Sequence, residues 1–93
     1  MNLQQLRQQI DRLDERLLAL LSERAALAIK IGHLKRRKKW PLYDARREAF
    51  VLQHVERLNQ GPLSGYAVRQ MFQSILSQCR RRERTGRPVR TSR

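Results

Sequence analysis

Three cations in the first half of the chain are its strongest chemical signal. They are Arg7, Arg24 and Lys35, and they stand on one segment with an apolar stripe. A guanidinium binds a carboxylate through two parallel hydrogen bonds, whereas a lysine ammonium acts as a compact point charge. These residue types suit a small molecule that carries two carboxylates. The sequence therefore predicts a binding site for a small dianion.

Five further polar residues are candidates for the same site. Asp44, Arg47 and Glu48 stand at positions i, i+3 and i+4 of a predicted second helix, so they share one of its faces. Cys79 and Glu83 are one turn apart near the end of a predicted third helix. We predict that both groups face the ligand.

Taken singly, each of these residues has a simpler interpretation. Arg24 and Arg47 are equally typical of solvated surface charges, and Asp44 of a helix cap. Cys79 would serve as a small buried residue, and Glu83 as an exposed partner of its arginine neighbours. Only the joint pattern points to a binding site.

A long first helix must position the three cations. From Leu3 to Leu34 the apolar residues recur at spacings of three and four, and neither proline nor glycine interrupts them before Gly32. About 35 residues at roughly 1.5 Å each make a rod of about 50 Å, which exceeds the diameter of a compact domain of this length. One subunit cannot cover this stripe, so we predict an oligomer.

Two shorter helices and a tail complete the predicted architecture. Asp44 caps the second helix, which ends before residues 59–62, and Ser64 caps the third. No strand-like alternation of useful length is present. We expect an all-α fold with three helices per subunit, in which residues 1–83 form the domain and residues 84–93 a basic, disordered tail.

Helix geometry divides the three cations between two subunits. Arg24 and Lys35 are 11 positions apart, so they share a face at a separation of about 16 Å. Arg7 lies 17 positions before Arg24, about 25 Å away along the axis and rotated by roughly 100°. It cannot reach the same small ligand from the same helix. If all three serve one site, Arg7 comes from a second, antiparallel copy of the helix, which predicts a homodimer.

The single cysteine and the distribution of apolar residues predict the cellular location of the protein. The chain has 93 residues and one cysteine, which excludes an internal disulfide and suits a reducing compartment. No stretch approaches the roughly 18 uninterrupted apolar residues of a membrane span, and no signal-peptide core precedes the first helix. We therefore expect a cytoplasmic protein that makes no contact with a membrane.

The formal net charge of +13 raises nucleic-acid binding as an alternative function. The basic clusters are residues 36–39 and the run from Arg80 to Arg93. They fall in a predicted loop and tail, no recognition-helix motif or zinc-ligand spacing is present, and aromatic residues for base stacking are scarce. Nucleic acid is therefore the less favoured partner, and the excess charge is more typical of a surface that steers anions.

The pattern resembles the all-helical (type II) chorismate mutases over residues 3 to 83. The motifs that carry the resemblance are Leu6-Arg7, Glu23-Arg24, Ile31-Gly32-x-x-Lys35, Pro41-x-x-Asp44-x-x-Arg47-Glu48 and Phe72-Gln73-x-Ile75. The resemblance implies an intertwined homodimer with two equivalent sites, which rearranges chorismate to prephenate without metal or cofactor. Isochorismate-pyruvate lyases and aminodeoxychorismate mutases share this scaffold and remain alternatives, because one ring substituent separates their substrates.

The resemblance also assigns roles to the cations. Arg7 of the partner subunit and Arg24 would each hold a substrate carboxylate. Lys35 would contact a carboxylate and the ether oxygen, where negative charge grows as the bond breaks. No nucleophile is required, because the reaction is intramolecular.

The remaining roles fall on the second and third helices. Glu48 and the backbone around Asp44 would receive the ring hydroxyl, with Arg47 orienting that group. Where the family has a serine near the ring carboxylate, this chain has Cys79, a weak hydrogen-bond donor. Glu83 stands where the family has a glutamine or glutamate that donates to the ether oxygen. An ionised carboxylate would repel the growing charge, so Glu83 assists only when protonated, and activity should fall as pH rises.

Overall fold

The computed structural model describes residues 1–86, and these residues form three α-helices. Helix α1 spans Leu3–Lys38, α2 spans Ala45–Leu58 and α3 spans Gly65–Thr85. The predicted all-α subunit with a very long first helix is confirmed. Helix α3 runs two residues beyond the predicted domain boundary at residue 83, and residues 87–93 of the predicted tail lie outside the described residues.

Each helix begins at a residue whose side chain accepts a hydrogen bond from a backbone N–H of the first turn. These caps are Asn2 for α1, Asp44 for α2 and Ser64 for α3. Such caps satisfy N–H groups that have no partner within the helix, and the two predicted caps, Asp44 and Ser64, are confirmed. Lys39 follows the last residue of α1, and its φ of 59° places it in the left-handed region. The chain therefore turns sharply before the loop that leads to α2.

The subunit is a single layer of helices. Helix α3 packs against both α1 and α2 and so joins them. A small apolar cluster of Val51, Leu52 and Leu76, with Phe72 packed against it, lies between α2 and α3. The Cα atoms span 55 × 36 × 14 Å, so the subunit is flat. A layer this thin leaves much of its apolar surface without a protein neighbour.

The uncovered apolar surface is most evident on the first half of α1. Leu6, Ile10, Leu13 and Leu17 lie on one face of the helix, and each is about half exposed. A contiguous apolar surface of this kind marks an interaction site in soluble proteins. None of the three helices combines the length and apolar character needed to cross a membrane.

Helices α1 and α3 approach closely at Gly32. A Cβ atom there would contact the Glu83 carbonyl oxygen and lie 2.8 Å from the Glu83 Cα, so only glycine fits. Arg36 donates to the Glu83 carbonyl at 2.7 Å, and His33 Nε2 lies 2.9 Å from the Gly86 carbonyl oxygen. These contacts occupy carbonyls at the C-terminal end of α3 and place Glu83 beside α1.

Candidate functional site

A cavity of about 370 Å³ lies between the second half of α1, the start of α2 and the second half of α3. Its apolar wall includes Ala28, Val51 and Leu76. Seven of the eight predicted site residues line it: Arg24, Lys35, Asp44, Arg47, Glu48, Cys79 and Glu83. This volume and mixed lining are typical of a pocket for one small polar molecule.

Arg7 is the predicted site residue that this cavity does not include. It lies on α1, 17 positions before Arg24, which corresponds to about 25 Å along the helix axis. Its side chain is exposed within the subunit. A single subunit therefore does not bring Arg7 to the cavity, and a contribution from a second subunit stays a prediction.

Lys35 and Glu83 form an ion pair within the cavity. Lys35 Nζ lies 3.0 Å from Glu83 Oε1 and donates a second hydrogen bond to the Leu42 carbonyl at 2.7 Å. Both charged side chains are only 16% exposed. The alternative interpretation of Glu83 as an exposed partner of neighbouring arginines is wrong, because the close approach of α3 to α1 turns the carboxylate toward Lys35. An ammonium has three N–H donors, so Lys35 retains one for a ligand.

Three polar residues at the start of α2 line the cavity. The Asp44 side chain accepts a hydrogen bond from the Arg47 backbone N–H at 3.0 Å, so it serves as the helix cap while also lining the cavity. The Arg47 guanidinium lies 5.2 Å from the centre of the Phe50 ring, a cation–π contact on the exposed side of α2. Glu48 is more buried than either neighbour. Helical spacing thus brings this motif to the cavity as the sequence predicted.

Arg80 is the main contact that sequence reasoning missed. Its Nη1 lies 2.6 Å from Glu48 Oε1 and 2.5 Å from Oε2. From the sequence, Arg80 was predicted to belong to a basic run or to pair with Glu83, not with Glu48. Arg80 stands four positions after Leu76, which packs against α2, so helix spacing places it toward α2 but does not identify Glu48 as its partner.

Cys79 and Arg24 also line the cavity. Cys79 is a free cysteine with an exposed fraction of 7%. Arg24 lies eleven residues before Lys35 on α1 and is partly buried. The two α1 cations therefore flank the space that a small dianion would occupy, on the shared face that helix periodicity predicts.

Comparison with known proteins places the cavity in context. A family model described as chorismate mutase type II matches residues 6–84. The chain is 42% identical over 83 residues to a bifunctional chorismate mutase/prephenate dehydratase of Stutzerimonas stutzeri, and 43% identical over 82 residues to one of Pseudomonas aeruginosa. Each alignment covers 83% of this chain and 22% of the relative. The chain thus spans about a fifth of the length of these curated relatives.

Two solved structures share the fold over nearly their whole length. Chorismate mutase (form II) of Thermus thermophilus superimposes with a TM-score of 0.86 at 34% identity, covering 87% of this chain and 92% of the other. The chorismate mutase of Helicobacter pylori, solved in complex with prephenate, superimposes with a TM-score of 0.82 at 27% identity. That match covers 90% of this chain and 91% of the other.

Proposed function

The chain belongs to the type II chorismate mutase family, and on that premise we propose that it rearranges chorismate to prephenate in aromatic amino-acid biosynthesis. The observation that carries this proposal is the cavity that Arg24, Lys35 and Glu48 line together. Its cations suit two carboxylates, and its acidic group suits a hydroxyl donor. A cytoplasmic location, inferred from the single cysteine, is part of the proposal.

The reaction places two demands on the cavity. One ether C–O bond breaks and one C–C bond forms within the same molecule, so the protein must hold a compact conformer and stabilise charge on the ether oxygen. In our proposal Arg24 holds a carboxylate, and the remaining N–H of Lys35 points to the ether oxygen. Glu83, beside Lys35, donates to the same oxygen when it is protonated. This rearrangement needs no covalent intermediate and no cofactor.

The opposite end of the substrate would lie against α2 and α3. We assign the ring hydroxyl to Glu48 and the backbone around Asp44, with Arg47 orienting that hydroxyl from close by. Cys79 would lie near the ring carboxylate. The support for these assignments is that all four side chains line the same cavity.

We further propose that the working form is an intertwined homodimer. The subunit is one helix thick, and the apolar stripe on the first half of α1 is uncovered. Antiparallel pairing of two α1 helices would cover both stripes and bring Arg7 of the partner subunit toward the cavity. Two independent features, the uncovered stripe and the distance of Arg7 from Arg24, thus support the same arrangement.

The direct test follows the loss of chorismate by ultraviolet absorbance and identifies the product. We expect prephenate, and a fall in kcat/KM of at least about a hundredfold in Arg24→Ala, because a charged carboxylate contact is lost. Arg12→Ala is the matched control, since Arg12 is an exposed arginine on another face of α1 and should retain activity.

Isochorismate and aminodeoxychorismate are assayed in parallel. Turnover of one of these with none of chorismate would move the assignment to a sister reaction on the same scaffold. If none of the three substrates reacted and the protein stayed bound to DNA at high salt, the nucleic-acid alternative would replace the enzymatic one.

A further inference from the structure

The Glu48 carboxylate is held from outside the cavity. Glu48 lines the cavity, whereas Arg80, the partner of both its oxygens, is not among the lining residues. The Glu48 side chain is 22% exposed and that of Arg80 36%. The guanidinium therefore supports the carboxylate from its outer side and leaves the inner side open to a ligand.

Arg80 also contacts the loop between α1 and α2. Its Cζ lies 5.0 Å from the centre of the Tyr43 ring, within the range of a cation–π interaction. One side chain on α3 thus contacts both the loop and the first turn of α2. The hydrogen bond to Glu48 raises the pKa of Arg80, so the group stays charged throughout the useful pH range.

The contact between Arg80 and Glu48 affects the charge that a ligand meets in the cavity. The lining carries three cations and three carboxylates, which balance formally: Arg24, Lys35 and Arg47 against Asp44, Glu48 and Glu83. A dianion gains little from a neutral lining and is repelled by any carboxylate without a partner. Arg80 supplies a cation next to one of these carboxylates and so reduces that repulsion.

We propose that Arg80 is a positioning residue that holds the Glu48 carboxylate as an acceptor for the ring hydroxyl and so sets the preference for a hydroxylated ring. Each carboxylate oxygen has two lone pairs, so both retain acceptor capacity after binding Arg80. Without Arg80, Glu48 regains rotamer freedom and faces the dianion unneutralised. This inference rests on the proposed function, because it takes the hydroxyl contact of Glu48 as given.

The test is a double-mutant cycle between Arg80→Met and Glu48→Gln. Arg80→Met keeps a stem of similar length and removes the charge. We expect it to lower kcat/KM for chorismate by roughly tenfold or more, the range found for hydrogen bonds to charged groups. In the Glu48→Gln background, Arg80→Met should lower kcat/KM by less than about threefold, because the residue that Arg80 contacts is already neutral. Arg81→Met, one exposed position further along α3, is the matched control and should stay near wild type.

A second readout separates positioning from simple packing. The wild type should bind chorismate more tightly than an analogue that lacks the ring hydroxyl, and Arg80→Met should lose most of that difference. Arg80→Lys keeps the positive charge and should restore part of it. Thermal unfolding is measured for every variant to test whether the fold is retained.

Four outcomes would contradict this proposal, and they differ in what they leave standing. Equal losses from Arg80→Met in both backgrounds, or an Arg80→Met variant that behaves like Arg81→Met, would overturn the inference and leave the mutase function standing. Unchanged preference for the hydroxylated ligand would overturn it as well. A wild-type protein inactive on chorismate would overturn the proposed function and this inference with it.

Discussion

Two carboxylates that line the cavity are each held by a cation. Lys35 pairs with Glu83 at 3.0 Å, and Arg80 holds both oxygens of Glu48. Held charges need little reorganisation when charge develops in a reaction, which is the main advantage of a preorganised site. The carboxylate of Glu83 and the thiol of Cys79, one turn earlier on α3, each give a prediction.

Replacing Glu83 with glutamine should raise kcat. In the structure the Glu83 carboxylate is paired with Lys35 at 3.0 Å, and an ionised carboxylate repels negative charge that grows on the ether oxygen. An amide of the same size carries no charge and can donate a hydrogen bond to that oxygen. Steady-state kinetics of both proteins at one pH measure the effect. An unaltered kcat in Glu83→Gln would show that this side chain does not contact the ether oxygen.

Replacing Cys79 with serine should strengthen substrate binding. A hydroxyl is a better hydrogen-bond donor than a thiol and is almost the same size, so a ring carboxylate beside it gains a stronger contact. We expect KM to fall by about threefold to tenfold with little change in kcat. Cys79→Ala serves as the control, because it removes the donor altogether. If serine and alanine gave the same KM, the side chain at this position would not contact the ligand.

At the scale of the helices, the closeness of α1 and α3 at Gly32 decides where Glu83 lies. A Cβ on Gly32 would meet backbone atoms of Glu83, which cannot rotate aside as the end of a side chain could. Arg36 on the next turn of α1 donates to the Glu83 carbonyl at 2.7 Å. The ion pair with Lys35 therefore depends on the spacing of two helix backbones.

Gly32→Ala should push the two helices apart. We expect a loss of about 1–3 kcal/mol in the free energy of unfolding, typical of overpacking, together with a fall in kcat as Glu83 moves from Lys35. Urea denaturation measures the loss in the free energy of unfolding. The protein concentration is kept fixed, because the stability of a dimer depends on concentration.

Gly65→Ala is the matched control for that experiment. Gly65 is also helical, but the nearest atom to its added Cβ is a side-chain oxygen of Glu56 at 4.0 Å. Alanine there should be neutral or stabilising by up to about 1 kcal/mol, because it restricts the unfolded chain. Equal stabilities for the two variants would show that the close approach at Gly32 is not a packing constraint.

At the scale of the whole molecule, the subunit resembles one half of a core. Its Cα atoms span 14 Å in the thinnest direction, and the leucine and isoleucine stripe on the first half of α1 is about half exposed. The proposed dimer would bury this surface. It would also make each site dependent on both chains, since Arg7 and Arg24 stand about 25 Å apart on one helix.

Mixing two inactive variants tests this sharing directly. Arg7→Ala and Arg24→Ala should each be nearly inactive alone. In a mixed dimer, one of the two sites would receive both intact arginines, so random subunit exchange should restore about a quarter of wild-type activity. The assay is chorismate turnover after co-refolding of equal amounts. Activity that stays at the level of the separate variants would show that Arg7 does not serve the partner's site.

The sequence by itself determined the features that depend on near neighbours. The length of α1, the caps at Asp44 and Ser64 and the shared face of Arg24 and Lys35 follow from side-chain types and a rise of about 1.5 Å per residue. The separation of Arg7 from the cavity follows from the same arithmetic. These features need no knowledge of how the helices cross.

Only the tertiary structure decided which charges pair. Lys35 and Glu83 are 48 positions apart, and Glu48 and Arg80 are 32 positions apart. In a chain with 21 Lys and Arg residues, each carboxylate has many possible partners, and helix periodicity does not distinguish between them. The close approach of α1 and α3 at Gly32 places Glu83 beside Lys35, and the packing of α2 against α3 places Arg80 beside Glu48.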